Sequence, residues 1–172
     1  MQKTVHSWKT LSLVEETIAL PTGVVTHHTT VKHPGAVVIL AQAPSGKLLL
    51  LNQFRPSIMT WFLEIPAGTL ERYELPIVGA KRELEEETGY SAKTWTELGT
   101  LTPMAGFCNE VQHLYFAQDL SLTQRLQADK DEVIEVQEVS CDELLQWIQQ
   151  DKITDAKTIA TLSKALLRGL IN

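Results

Sequence analysis

Residues 68–90 read GTLERYELPIVGAKRELEEETGY, and both the fold and the chemistry are decided by this stretch. Pro76 suits a first helical turn, where its missing N–H goes unused, and Gly89 suits the C-terminal stop, so a helix is predicted from about Pro76 to Thr88. At about 100° per residue, Glu83 and Glu87 lie about 40° apart, with Glu86 about 60° to the other side of Glu83. Three carboxylates therefore share one face, while Glu85 points almost the opposite way. Ile77, Ala80 and Leu84 form an apolar stripe on the neighbouring face. The helix is expected to pack on one side and to present acid beside that contact.

Between Glu64 and Glu87 seven glutamates stand against three basic residues, Arg72, Lys81 and Arg82, which accounts for most of the chain's net charge of -6. Taken alone, such a cluster is either a solvated helix face or a cation site. Like charges three and four residues apart repel by a few tenths of a kcal/mol per pair, so the cluster is locally unfavourable without a counter-ion. Oxygen-only ligands of high charge suit Mg²⁺ or Mn²⁺ rather than zinc. Arg82, four residues before Glu86, is placed to hold that carboxylate by a charge-assisted hydrogen bond.

Outward from the helix, the chain reads as one domain spanning residues 1–172. The 172 residues, 44% hydrophobic and 21% charged, are enough for a real core without disulfide or metal staples. The acidic balance argues against a partner recognised by bulk positive charge, such as nucleic acid or an anionic membrane. Two cysteines, Cys108 and Cys141, are too few for a disulfide framework, and no apolar leader follows Met1, so a reducing cytoplasm is expected. The strongly apolar run Ala36–Ala41 is far shorter than a membrane span.

Strands are predicted at Val24–Val31 and at the apolar run from Ala36, whose two faces should both be covered. Pro44-Ser45-Gly46 reads as a turn returning Lys47–Phe54 as the second strand of a hairpin. Trp61–Ile65, Trp95–Thr100, Gln112–Ala117 and Val133–Val139 are further strands. Ser140 and Glu143 form an S-x-x-E capping box before one late helix, and Asp155 is a good N-cap for another. Strands broken by one central helix and closed by two more describe a mixed α/β (α+β) sandwich, not a regular βαβ series.

The spacing within the opening stretch resembles the Nudix box. Gly68, five residues, Glu74, seven residues, Arg82-Glu83-Leu84, one residue, Glu86-Glu87, one residue and Gly89 match at eight defined positions, with Tyr90 where a smaller aliphatic is usual. The resemblance implies a Nudix fold, a mixed β-sheet sandwiched between helices, and hydrolysis of a nucleoside diphosphate linked to another moiety. It assigns Mg²⁺ (or Mn²⁺) to Glu83, Glu86, Glu87 and the backbone carbonyl of Ala67, with Glu74 and Arg82 orienting these ligands. Neither G-x-x-x-x-G-K-[ST] nor G-x-G-x-x-G occurs, so phosphate charge must be met by cations rather than by such a loop.

Other segments resemble the ADP-ribose pyrophosphatase branch: Val31–Val37, Gln53-Phe54-Arg55, Glu64–Gly68, Pro103–Glu110, His113-Leu114-Tyr115 and Asp155–Ile159. By that resemblance Arg55 contacts phosphate or the terminal ribose and Glu64 helps to orient the substrate. Phe107 and Phe54 are candidates to stack on adenine, with core packing as the alternative. Glu110, on a mobile loop, is the expected general base, with Glu86 the alternative, because Met104-Ala105 interrupt the usual Pro-Gly-Phe. The same resemblance implies a homodimer with the N-terminal strands (within residues 1–34) at the interface. The expected reaction is ADP-ribose to AMP and ribose 5-phosphate. GDP-mannose is the rival substrate, and a non-hydrolytic ADP-ribose sensor the rival role. The full glutamate set disfavours the sensor. The histidines lack paired metal spacing, and Cys108 reads as a structural thiol.

Overall fold

The structure is a computed structural model that describes residues 2–123 and 133–171. Its strands are β1 (Gln2–Trp8), β2 (Leu11–Ala19), β3 (Val25–Lys32), β4 (Ala36–Ala41), β5 (Leu48–Arg55), β6 (Thr60–Glu64) and β7 (Ala67–Thr69). After α1 (Pro76–Thr88) come β8 (Tyr90–Leu101), β9 (Gln112–Leu122), β10 (Ile134–Val139), α2 (Cys141–Gln149) and α3 (Ala156–Leu167).

β4 is buried at every position because it is internal in two senses. Within its sheet, ordered β7-β4-β9-β8, it lies between β7 and β9, running parallel to β9 while the other pairings are antiparallel. Across the sheet, its residues alternate between two cores, as the period of two in a strand requires. Val38 and Leu40 pack with Leu114, Phe116, Leu144, Leu162 and Ala165, under α2 and α3. Val37, Ile39 and Ala41 pack with Tyr115, Ala80 and Leu84, under α1. A mixed sheet is thus sandwiched between helices. Burying each of these large aliphatic side chains stabilises the fold by roughly 1.5–3 kcal/mol.

One sequence expectation is corrected. Pro44-Ser45-Gly46 does turn the chain, with Gly46 at φ +84° and the Ala43 amide donating to the Lys47 carbonyl. Yet β4 and β5 do not pair as a hairpin; a single bridge, Gln42 to Leu48, joins them. β5 leaves for a second sheet, ordered β10-β5-β6. The reason is burial: Leu48 to Leu51 are all buried, with Leu48 and Leu50 in the core under α2 and α3 and Leu49 in the core under α1. A strand apolar on both faces must itself be central, and one sheet edge beside β4 would not make it so.

The helices form where the punctuation places them. α1 starts at Pro76 and stops at Gly89, whose left-handed φ of 71° lets its amide return to the Glu85 carbonyl. Ser140 and Glu143 close the capping box of α2, and the Asp155 carboxylate accepts from the Thr158 amide at the start of α3. The N-terminal meander β1-β2-β3 differs in kind. Only Val14 and Thr30 are buried among its strand positions, so it is a sheet with almost no core of its own.

Candidate active site

Arg55, Ala67, Arg82, Glu83, Glu86, Glu87 and Glu110 line one cleft of about 520 Å³, at the end of the main sheet where β7, α1 and the segment before β9 meet. α1 supplies four of them. Its apolar stripe holds it on the sheet, with Ala80 and Leu84 fully buried, and this turns Glu83, Glu86 and Glu87 toward β7. Glu87 is only 4% exposed, and its Oε2 accepts from the Ala67 amide at 3.0 Å. An acidic residue so placed is not part of a solvated face.

Arg82 organises the cluster. Its guanidinium makes a two-pronged contact with Glu74, Nε to Oε1 and Nη2 to Oε2, each 2.9 Å. The remaining nitrogen, Nη1, donates to Glu83 at 2.7 Å and to Glu86 at 2.9 Å. These bonds raise the Arg82 pKa above its already high value, Glu74 contributing most, and hold the Glu74 carboxyl below the usual carboxylate range. One cation thus braces three anions. Among the described residues no three metal-binding side chains close into a ready-made cage.

The donor set still suits a hard divalent cation, and Gly68 shows how closely it is built. A Cβ on Gly68 would fall 1.9 to 2.2 Å from the Glu83 carboxylate atoms, well inside contact. Only glycine leaves room for Glu83 to lie across the β7 backbone beside Ala67. The ligands within reach are carboxylate oxygens, the kind that Mg²⁺ and Mn²⁺ prefer.

The cationic part of the cleft is built differently. Glu64, 1% exposed, lies behind the lining and accepts from Arg55 Nε at 2.6 Å and from Lys157 Nζ. Burial opposes its charge, but the hydrogen bond from Arg55 and the positive charges of Lys157 and Arg55 outweigh it, so its carboxyl stays below the usual range. Asp155 holds the same lysine at 3.0 Å while capping α3. Thr158 Oγ1 in turn accepts from the Ile65 amide, tying the helix start to the strand end that carries Glu64.

Glu110 is 7% exposed and accepts from Gln112 Nε2 at 2.9 Å. Its loop is stitched to the end of β3: Val31 N donates to Phe107 O at 2.8 Å, Asn109 N to Val31 O at 3.2 Å, and His33 N to Asn109 Oδ1 at 2.8 Å. Phe107 is 55% exposed and does not line the cleft, and Phe54 pairs edge-on with Trp61 at 5.9 Å. Sequence reasoning gave no role to Lys157, Gln112, Lys9 or Thr10, all of which line the cleft. Lys157 lies in the Asp155–Ile159 segment, but nothing in its spacing reveals a partner 93 positions away.

Comparisons with known proteins agree with this architecture. The model of the NUDIX domain matches residues 31–162. The chain is 41% identical over 155 residues to the ADP-ribose pyrophosphatase of Bacillus subtilis, covering 90% of this chain and 84% of that protein. It is 37% identical over 156 residues to the methanol dehydrogenase activator of Bacillus methanolicus, with the same coverage of 90% and 84%. A crystal structure of an ADP compounds hydrolase superposes with a TM-score of 0.84 at 20% identity, covering 99% of this chain and 93% of the other, a likeness of fold. The chain belongs to the Nudix family. Nudix hydrolases generally act with divalent cations.

Proposed function

We propose that this protein hydrolyses the pyrophosphate bond of ADP-ribose, giving AMP and ribose 5-phosphate, with Mg²⁺ as the working cation and Mn²⁺ able to replace it. The observation that carries this reading is the pairing, in one cleft, of a braced glutamate cluster with Arg55 and Lys157. A pyrophosphate needs both: cations fixed to the protein for its oxygens, and acid to hold the metal that neutralises the rest. Identity of 41% to an ADP-ribose pyrophosphatase supports the choice of substrate.

Glu83, Glu86, Glu87 and the Ala67 carbonyl would hold the metal. When bound, a divalent cation supplies charge neutralisation at the phosphate oxygens, polarisation of phosphorus and a lowered pKa for water. The chain's own residues do the remainder. Arg55 and Lys157 take phosphate oxygens and fix the diphosphate against the cleft. Glu64 keeps both cations aimed, acting through them rather than on the substrate. Glu110 accepts the proton of the attacking water as its oxygen bonds to phosphorus and the bridging P–O bond breaks. Phosphate leaves on the far side of that bond, carrying either the ribose or the adenosine.

Initial rates on ADP-ribose, GDP-mannose and other nucleoside diphosphate sugars, with and without Mg²⁺ after chelation, test the proposal. ADP-ribose is expected to lead the panel, and turnover to vanish without metal. Equal rates across the panel, or hydrolysis that survives chelation, would overturn it. A solution homodimer joined through β1-β2-β3 belongs to the same proposal, supported by exposed Val5, Trp8 and Val25 on a sheet with little core and by exposed Leu20 and Val24 in its β2–β3 turn. Light scattering coupled to size exclusion should give twice the 19.2 kDa chain mass, and a monomer would refute it. No helix among the described residues is long and apolar enough to cross a membrane, and we place the protein in the cytoplasm.

A further inference from the structure

The segment that delivers Glu110 alternates as a strand does: Cys108, Glu110 and Gln112 are buried, while Asn109 and Val111 are exposed. It runs beside the chain that links β3 to β4, and the two are out of step there. Val31 bridges Cys108 and Ala36 pairs with Gln112, both in parallel, so an advance of five residues on one side answers four on the other. His33-Pro34-Gly35 and Glu110 lie between those two pairings. Pro34 has no N–H to place. The Gly35 amide donates to His33 Nδ1 at 3.0 Å, and the Ala36 amide to the Val111 carbonyl at 3.0 Å. The His33 amide donates to a side chain, Asn109 Oδ1, at 2.8 Å. A backbone N–H only donates, so the carbonyl end of the Asn109 amide faces it, standing in for a ladder acceptor.

We infer that Asn109 is a positioning residue: its bond to the His33 amide locks the register in which Glu110, rather than a neighbour, faces the cleft. The inference rests on Glu110 as base and adds a residue to that step. A slide of one residue turns every side chain of an extended segment to its other face. Here it would aim Asn109 or Val111 into the cleft, and neither can take a proton from water. An apolar face sets its own register by burial, but the inward residues here are Glu110 and Gln112, whose desolvation costs free energy. Backbone groups are the same at every residue and so cannot tell one register from the next. The Asn109 side chain can, because it stands at a single position, and being exposed it is not needed by the core.

Asn109→Ala removes the acceptor. It should lower kcat by about fivefold or more with KM changed by less than about twofold, because fewer molecules hold the base in place while the substrate contacts stay intact. Asn109→Asp keeps an oxygen that accepts from the His33 amide and should recover most of that loss. In a Glu110→Gln background Asn109→Ala should cost little further, because a register lock acts only through the base. If Asn109→Ala does not fold by circular dichroism, Asn109→Leu, which also lacks an acceptor, carries the same expectations. A kcat loss below fivefold, a raised kcat, an equally deep loss in Asn109→Asp, or losses that multiply in the double variant would each overturn the inference while leaving Glu110 as base. An unchanged rate in Glu110→Gln alone would remove the base assignment, and this inference with it.

Discussion

The cleft contains two charge lattices of opposite design. In one, a single guanidinium, Arg82, is surrounded by Glu74, Glu83 and Glu86, while Glu87, also on α1, accepts from the Ala67 amide of β7. In the other, a single buried carboxylate, Glu64, is gripped by Arg55 and Lys157. Each time the minority charge is the brace, Glu64 from behind the cleft lining and Arg82 from within it. Desolvating like charges side by side is costly, and an opposite charge at their centre offsets that cost without consuming every acceptor or donor. The proposed metal ligands and the proposed phosphate contacts thus come from two separately braced groups of opposite majority charge. Breaking each at its brace or at its working end should give distinguishable failures.

The largest effect is expected at a working end. Glu87→Gln removes the charge of a proposed metal ligand at a buried position and should lower kcat by about 100-fold or more, since even residues that merely orient metal ligands are worth about 10–100-fold. The fold should survive, because a glutamine oxygen still accepts from the Ala67 amide. Near wild-type turnover at saturating metal, with an unchanged dichroism spectrum, would show that the metal site lies elsewhere. Gly68→Ala attacks the same lattice from below. The new methyl group must displace the Glu83 carboxylate, so activity should fall about tenfold or more and the metal concentration for half-maximal rate should rise. Unaltered metal dependence in that variant would mean that Glu83 is not a ligand.

These two lattices were not equally legible beforehand. The acidic one is local: Glu74 to Glu87 lie within one loop and one helix, Pro76 and Gly89 mark the helix ends, and helical geometry alone puts three carboxylates on a face. The basic one is assembled by topology. Lys157 reaches Glu64 only because α3 packs on the sheet through Leu162 and Ala165 and its first turn binds Ile65 through Thr158. Gln112 comes to the cleft because β9 runs parallel to β4, setting Gln112 opposite Ala36. No periodicity within a segment encodes such a neighbour. The same blindness produced the false hairpin: the turn residues were right, but which sheet β5 joins depends on β6 and β10. β1 and β2 were expected only as N-terminal strands somewhere within residues 1–34, without bounds, because strands that bury almost nothing leave no apolar pattern to mark their ends.

Removing the brace of the basic lattice should act on binding and stability together. Glu64→Gln leaves Lys157 and Arg55 without their shared anion, though Asp155 still holds the lysine. KM should rise about tenfold while kcat changes less, because both cations lose their aim rather than their charge. Stability should fall by about 2–3 kcal/mol, toward the low side of a broken buried pair because Arg55 is one-third exposed. A kcat loss with constant KM would instead place Glu64 among the groups acting in the chemical step.

The smallest effect separates the lattices by acid. Glu64 and Glu74 both titrate below their ordinary value of 4.5 in the folded protein, as does Glu143 in the α2 cap. A depressed folded pKa means that the unfolded chain binds protons first, so stability is complete above about 4.5 and is lost as pH falls through the folded values. The melting temperature should therefore be insensitive to these groups from neutrality down to about pH 5, then decline in more acid solution. Glu64→Gln and Glu74→Gln should each start lower at neutral pH and decline less steeply, since each lacks one carboxylate to protonate. Glu64→Gln should flatten the curve more, because its anion is almost wholly buried with two cations whereas Glu74 shares Arg82 with other acids. Parallel curves for wild type and Glu64→Gln would show that the cations, not the carboxylate between them, set the energy of that lattice.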